Sequence, residues 1–462
     1  MQNGARTPTA NSPILTDSLL CFWDQKLTGC AADNRSLVQA RSGQLNESCP
    51  MPLPSQTKSL ATNLLAYGAS EVASKASRLL VVVAVARTLD LTQIGIAAAA
   101  MAAGDILKAL TENGVGQRII AARDAELDAT CATAHRIFWV WCVGLFLAQA
   151  GLAAGLYFTG ASPLLAGLLF LMGAEYLFMP AGLVQVALAM RAGKLKQTAA
   201  IAGAQFVGAN LLAIVLIMLW PSAIALVLPR VLSAPIWLIA VRRLHPWHSQ
   251  SPTRASLRPF ITYGAAVLGI EVVKVMRLQA DKLVIGVTLG AETLGLYFMA
   301  FNAGLSLSNA FTQALSTVLF PLLAQSNDMK TSLRQSLALG IAMIAPLVVL
   351  QALLAPYYVP ILLGNGWDGI EIYVQILCLL AIPTTLWTTA ASHLRITDRA
   401  HQELLVTATL AACVILNALL LGPLGLFALT TGYVVISTIV MLLAGVITLR
   451  PVFEPSNQLV TE

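Results

Sequence analysis

The chain has 462 residues, of which 57% are hydrophobic and only 11% charged, with a formal net charge of +6. So little polar surface cannot cover a water-soluble globule of this length, which excludes a soluble enzyme and requires a bilayer. Aromatic residues make up 7% while Ala, Leu and Gly dominate, a composition that suits closely packed membrane helices and not the alternating strands of an outer-membrane barrel.

In chain order, residues 1–58 are polar and rich in Ser, Asn, Thr, Pro and Gln, and the apolar run at 18–23 is too short for a signal-peptide core. A disordered cytoplasmic arm is expected there. Met51 lies shortly before the first apolar helix, so a native start at Met51 is a further expectation. From residue 60 onward, twelve stretches approach the ~20 residues that a hydrocarbon core requires. They lie at 61–86, 92–111, 137–158, 163–189, 198–219, 222–241, 259–289, 293–323, 333–355, 370–392, 403–421 and 424–449, with a turn near Gly290 separating the seventh from the eighth. Pro180 and Pro383, in the fourth and tenth stretches, predict kinks or a gating hinge.

The chain also contains itself twice. Thr88, Leu89, Gly95, Ala103 and Gly104 recur without a gap as Thr288, Leu289, Gly295, Ala303 and Gly304. Repeats in so apolar a chain point to a transporter whose halves enclose a path and rock against each other. The expected architecture is an all-α integral membrane protein of about twelve transmembrane helices in two six-helix lobes, residues 59–241 and 259–450. A cytoplasmic loop at 242–258 joins the lobes and a cytoplasmic tail follows at 451–462.

Basic residues sit singly between the apolar runs, which gives the positive charge a topological meaning and argues against nucleic acid as a partner. One side carries Arg118, Arg123, Arg136, Arg191, Lys194, Lys196, Arg242, Arg243, Arg254, Arg258, Lys330, Arg334, Arg395 and Arg399, against Arg87 and Lys282 on the other. This asymmetry predicts cytoplasmic termini. Arg87 and Lys282 read as interfacial anchors.

Ionisable groups inside apolar helices are costly and mark a pathway by default. Glu71, Lys75 and Arg78 share a sector of about 60° on the first helix, and Asp105, Lys108 and Glu112 a similar one on the second. Glu271, Lys274, Arg277 and Asp281 span about 120° of the seventh helix. Arg230 stands beside Pro229 in the sixth, and the third, fourth, fifth, ninth, eleventh and twelfth are read as almost free of charge. A central cleft with Lys75, Arg78, Lys108, Arg230, Lys274 and Arg277 would hold an anion such as a phosphate or diphosphate. Glu71, Asp105, Glu271 and Asp281 would balance that field or carry a coupling proton or sodium ion. The competing reading is that Glu71 with Lys75 and Asp105 with Lys108 are neutralised pairs that fix packing.

Residues 78–95, from Arg78 through Asp90 to Gly95, resemble the opening of Wzx-type polysaccharide and O-antigen flippases. Residues 281–297, running on into 318–321, resemble the second-half signature of that family, and 256–264 and the basic turn 189–194 support the match. The resemblance implies membership of the multidrug, oligosaccharidyl-lipid and polysaccharide exporter superfamily. It implies a cargo of undecaprenyl-diphosphate-linked oligosaccharide repeat units, flipped across a bacterial inner membrane for cell-surface polysaccharide, with a polysaccharide polymerase as a possible partner. It says nothing about residues 1–58.

No phosphate-cradling Gly-rich motif and no nucleophile beside a base is present, so no enzymatic activity and no cofactor are expected. The seven cysteines show no metal-ligand spacing, and the His245/His248 pair lacks a third ligand, so no metal site is expected. A drug or metabolite exporter on the same fold is the main alternative. A cationic, aromatic-poor cleft disfavours organic cations as cargo. A membrane scaffold or membrane-embedded polymerase or ligase is a third reading, disfavoured by the short outer loops.

Overall fold

A computed structural model describes residues 77–248, 255–324, 329–364, 366–367, 369–397 and 399–453. Glu71, Lys75 and the arm at 1–58 lie outside the described residues. Among those described there are helices, turns and loops but no β-strand. The first helix, α1, covers residues 77–88 as described. It is followed by α2 (Leu91–Ala109), α3 (Val115–Ala121), α4 (Leu127–Phe158), α5 (Pro163–Gly173), α6 (Glu175–Phe178), α7 (Pro180–Arg191), α8 (Leu195–Leu219) and α9 (Ala223–Leu244). The second half contains α10 (Arg258–Thr288), α11 (Gly290–Ala324), α12 (Met329–Leu363), α13 (Ile370–Cys378), α14 (Ala381–Ile396), α15 (Ala400–Leu421) and α16 (Leu426–Phe453).

Among the described residues, eight helices are long and apolar enough to cross a bilayer, or nine if the bent pair Pro163–Phe178 and Pro180–Arg191 counts as one span. Twelve were expected from sequence. The stretches that do not qualify are α1, described only from residue 77, the charge-bearing α2, and α11.

The repeat is visible in where helices break. The first helix ends at residue 88 and α2 begins at Leu91, with the Asp90 carboxylate capping the Gln93 N–H at 2.6 Å. Two hundred residues later α10 ends at Thr288, and Gly290, at φ 88°, starts α11. The break at Met179 recurs between Cys378 and Ala381. At the first of these the chain bends by 51°, where Pro180 opens α7 and cannot donate to the preceding turn.

The two halves meet largely along α2, which packs on both α10 and α11. Their contact is reciprocal across the repeat. A β-carbon on Gly95 would overlap the Ala291 carbonyl oxygen, and one on Gly295 would overlap the Leu91 carbonyl oxygen. Only glycine permits so close an approach of two helix backbones. Near the other end of α2, a β-carbon on Gly264 would stand 2.6 Å from the Asn113 carbonyl oxygen. The motif at 256–264 thus ends where α10 meets the turn between α2 and α3.

The basic turn after α7 has a structural role as well. Arg191 donates to the carbonyls of Ile120 at 2.8 Å and Ala122 at 2.5 Å, and to the Asp124 carboxylate at 2.5 Å. It thereby satisfies carbonyls left open at the end of α3. Lys194 donates to the Leu244 carbonyl at 2.9 Å, at the end of α9.

Candidate functional site

Between the halves lies a cavity of about 470 Å3, walled by α1, α2, Glu175 of α6, α8, α9, α10 and α11. Among the described residues, the cations Arg78, Lys108, Arg230 and Lys282 line it against the carboxylates Asp105 and Glu175. The amides of Gln205, Asn210, Gln279, Asn302 and Asn309 and the Ser233 hydroxyl complete its polar lining among the described residues. The remaining wall is apolar, including Phe206, Phe298 and Phe301.

The carboxylates are committed. Asp105 accepts from Arg230 Nη2 at 2.7 Å through Oδ1 and from Gln279 Nε2 at 2.9 Å through Oδ2, so one side chain ties α9 and α10 to α2. Lys108 forms an ion pair with Glu175. Arg78 differs: its described hydrogen bond goes to a neutral oxygen, Asn302 Oδ1, at 3.0 Å. Asn302 is oriented in turn by donating from Nδ2 to the Phe298 carbonyl at 2.7 Å. Lys282 is 5% exposed, donates to the Leu278 carbonyl, stands 4.2 Å over the Phe301 ring and has Asp281 Oδ1 3.4 Å away. Among the described residues the hydrogen-bond partner of Arg78 is neutral while Lys108 and Arg230 are paired with carboxylates, which makes the Arg78 guanidinium the candidate attachment point for an anion.

Four sequence-expected residues, Arg78, Asp105, Lys108 and Arg230, come together here. Glu271, Lys274, Arg277 and Asp281 are not among the residues lining this cavity. Instead α10 turns Leu278, Gln279 and Lys282 to the cavity. Asp281 is 2% exposed and accepts from the Tyr297 hydroxyl at 2.7 Å. Arg277 stands in the electrostatic neighbourhood of Tyr433 of α16. Lys274 pairs with Glu271 at 2.7 Å.

Two expectations are corrected. Lys282 is a buried wall of the cavity and not an interfacial anchor. Arg87 donates from Nη2 to the Ile361 carbonyl at 2.7 Å and from Nε to the Leu362 carbonyl at 3.3 Å, capping the end of α12. The Trp367 indole N–H answers by donating to the Ala86 carbonyl at 2.9 Å. Asp105 and Lys108, offered as a possible pair, each find their partner on another helix. Glu175 escaped the sequence reading, although a lone acid in the apolar run 163–189 was a visible signal.

The fold, with its long apolar helices around a charged internal cavity, is that of a multi-pass membrane protein. The chain belongs to the polysaccharide biosynthesis protein family, whose model matches residues 84–372. It is 21% identical over 210 residues to the lipopolysaccharide biosynthesis protein WzxC of Escherichia coli strain K12, a match covering 44% of this chain and 42% of that protein. Among solved structures it resembles the lipid II flippase MurJ in an inward closed conformation, with a TM-score of 0.73 at 12% identity over 84% of this chain and 87% of that one. It also resembles the inward-facing conformation of a multidrug resistance MATE family transporter of the MOP superfamily, with a TM-score of 0.65 at 14% identity over 82% and 94% of the two chains. At such identities the likeness to the solved structures is one of fold. The resemblance to Wzx-type flippases read at 281–297 falls within the family match and is borne out.

Proposed function

We propose that the protein is a flippase that carries an undecaprenyl-diphosphate-linked oligosaccharide repeat unit across a bacterial inner membrane by alternating access between two lobes. The observation that carries this reading is the cavity between the halves, where Arg78 faces neutral Asn302 while Lys108 and Arg230 are matched by carboxylates. A diphosphate would take the Arg78 guanidinium, the polar lining would accept sugar hydroxyls, and the tail would remain in apolar surroundings. Both termini are assigned to the cytoplasm. With Lys282 buried in the cavity wall, only Arg87 remains to oppose fourteen loop cations on the other side.

Transport of organic cations is the less favoured reading, because Asp105 and Glu175, the cavity's carboxylates, are already engaged by Arg230 and Lys108. Deleting the gene in its host tests the choice. Loss of surface polysaccharide with build-up of intact lipid-linked units on the cytoplasmic side is expected. Unchanged polymer with altered sensitivity to small toxic compounds would replace the proposal with a drug exporter.

A further inference from the structure

The chain that joins the two halves is fastened to the first of them. Beyond α9, the Trp247 ring stands 5.5 Å from the His135 ring, tilted by 59°, and packs on the apolar cluster that holds Phe138, Val184 and Leu188. Further on, the Ala255 N–H donates to Thr133 Oγ1 at 2.9 Å, and the Thr133 hydroxyl donates back to the Ala255 carbonyl at 3.2 Å. Both anchors, Thr133 and His135, belong to α4. The next helix, α10, starts at Arg258, and its Phe260 is buried in the same cluster with the Arg118 guanidinium 5.9 Å over its ring. The start of the second half is therefore held on the first half wherever the linker is held.

His135, just before the apolar stretch that begins at 137, is the titratable part of this attachment. Its Nε2 accepts from the Trp139 indole N–H at 3.1 Å, so that nitrogen offers a lone pair and the neutral ring keeps its proton on Nδ1. Nδ1 is buried and has no hydrogen-bond partner among the described residues. A proton added at Nε2 would meet the indole N–H donor to donor, and the new cation would stand among cations. Arg242 of α9 acts on the ring electrostatically, and Arg118 and Arg191 lie on α3 and α7, which pack against α4. Carboxylates give it no relief. Asp128, on the same face of α4, is two turns or about 10 Å away along the axis. Asp124 is taken by Arg191, Glu175 by Lys108 and Asp105 by Arg230. Cys131 one turn earlier, and His245 and His248 flanking Trp247, are the other titratable neighbours. We propose that His135 is a proton-sensitive clasp for the linker: the neutral ring holds Trp247 and the start of α10 on the first half, and protonation at Nε2 releases them. The clasp is independent of what the protein carries.

The test uses the full-length protein in detergent and reads hydrogen-exchange protection factors, which are normalised for the intrinsic pH dependence of exchange. The reporters are the amides of Ala255, Phe260 and Ile261, hydrogen-bonded to Thr133 Oγ1 and the Leu257 carbonyl. Measurements at about pH 7.5 and about pH 5.5 lie either side of the ordinary histidine value of about 6.5. Wild-type protection is expected to fall tenfold or more at the lower pH, while amides of α15 keep theirs. His135→Gln, whose amide oxygen accepts from Trp139 without titrating, should stay protected at both values, and Trp247→Ala should be unprotected at both. Each variant is checked for an unchanged elution profile. Unchanged wild-type protection would overturn the clasp, and so would an equal fall in His135→Gln, which would place the titration at another group such as His245 or His248. Loss of protection at both values in folded His135→Gln, or full protection in Trp247→Ala, would overturn it as well.

Discussion

Arg78 and Arg277 look alike in the sequence, each a lone guanidinium within an apolar helix, and the fold separates them. Arg78 faces Asn302 across the cavity, while Arg277 stands near Tyr433 and does not line it. A hydrogen bond between charged partners contributes about 1.5–3 kcal/mol, so Arg78→Ala is expected to weaken undecaprenyl diphosphate binding by roughly 10- to 100-fold. Arg78→Lys should recover part of the loss and Arg277→Ala should show little, as titration of the detergent-solubilised protein would reveal. Asp105→Asn should act in the opposite direction: it removes the charge that neutralises Arg230 and should raise affinity for pyrophosphate. Unchanged or weaker binding would show that Arg230 does not meet the anion.

At the scale of elements, the reciprocal contact of α2 and α11 depends on Gly95 and Gly295. Gly295→Ala places a methyl group against the Leu91 carbonyl oxygen, and the helices can accept it only by moving apart. Overpacking of this kind costs about 1–3 kcal/mol, so a clear drop in melting temperature is expected. Gly116→Ala is the control, because nothing lies within 4 Å of its β-position. Arg87 and Trp367 act beside this contact, each capping carbonyls of the other half. If they latch this end shut, Arg87→Ala should increase labelling of a cysteine placed at Ala98, a cavity residue only 1% exposed, by a membrane-impermeant thiol reagent added outside the cell. Equal labelling with and without Arg87 would show that the glycine contact alone closes that end.

For the molecule as a whole, periodicity and composition made the helical membrane class legible, and the gapless match of Thr88 and Gly95 to Thr288 and Gly295 foretold helix breaks that recur two hundred residues apart. Those features are local or additive: hydropathy sums along the chain, and a capping residue or proline acts within its own turn. The candidate site was only half legible. Helical spacing shows which residues of one helix share a face, but not which neighbour that face meets. Asp105 therefore seemed paired to Lys108 three residues away, whereas its partner Arg230 is 125 positions distant and the partner of Lys108, Glu175, is 67 distant. The rotation of α10 about its axis, set by packing against α2, α11 and α15, turned Gln279 and Lys282 to the cavity and buried Asp281 against Tyr297. Sequence by itself thus determined the solvent this protein lives in, its repeat and the ends of its helices. Only the tertiary structure decided which charges are cancelled and which face the cavity, because electrostatic pairing depends on distance through space and helices far apart in sequence supply the partners.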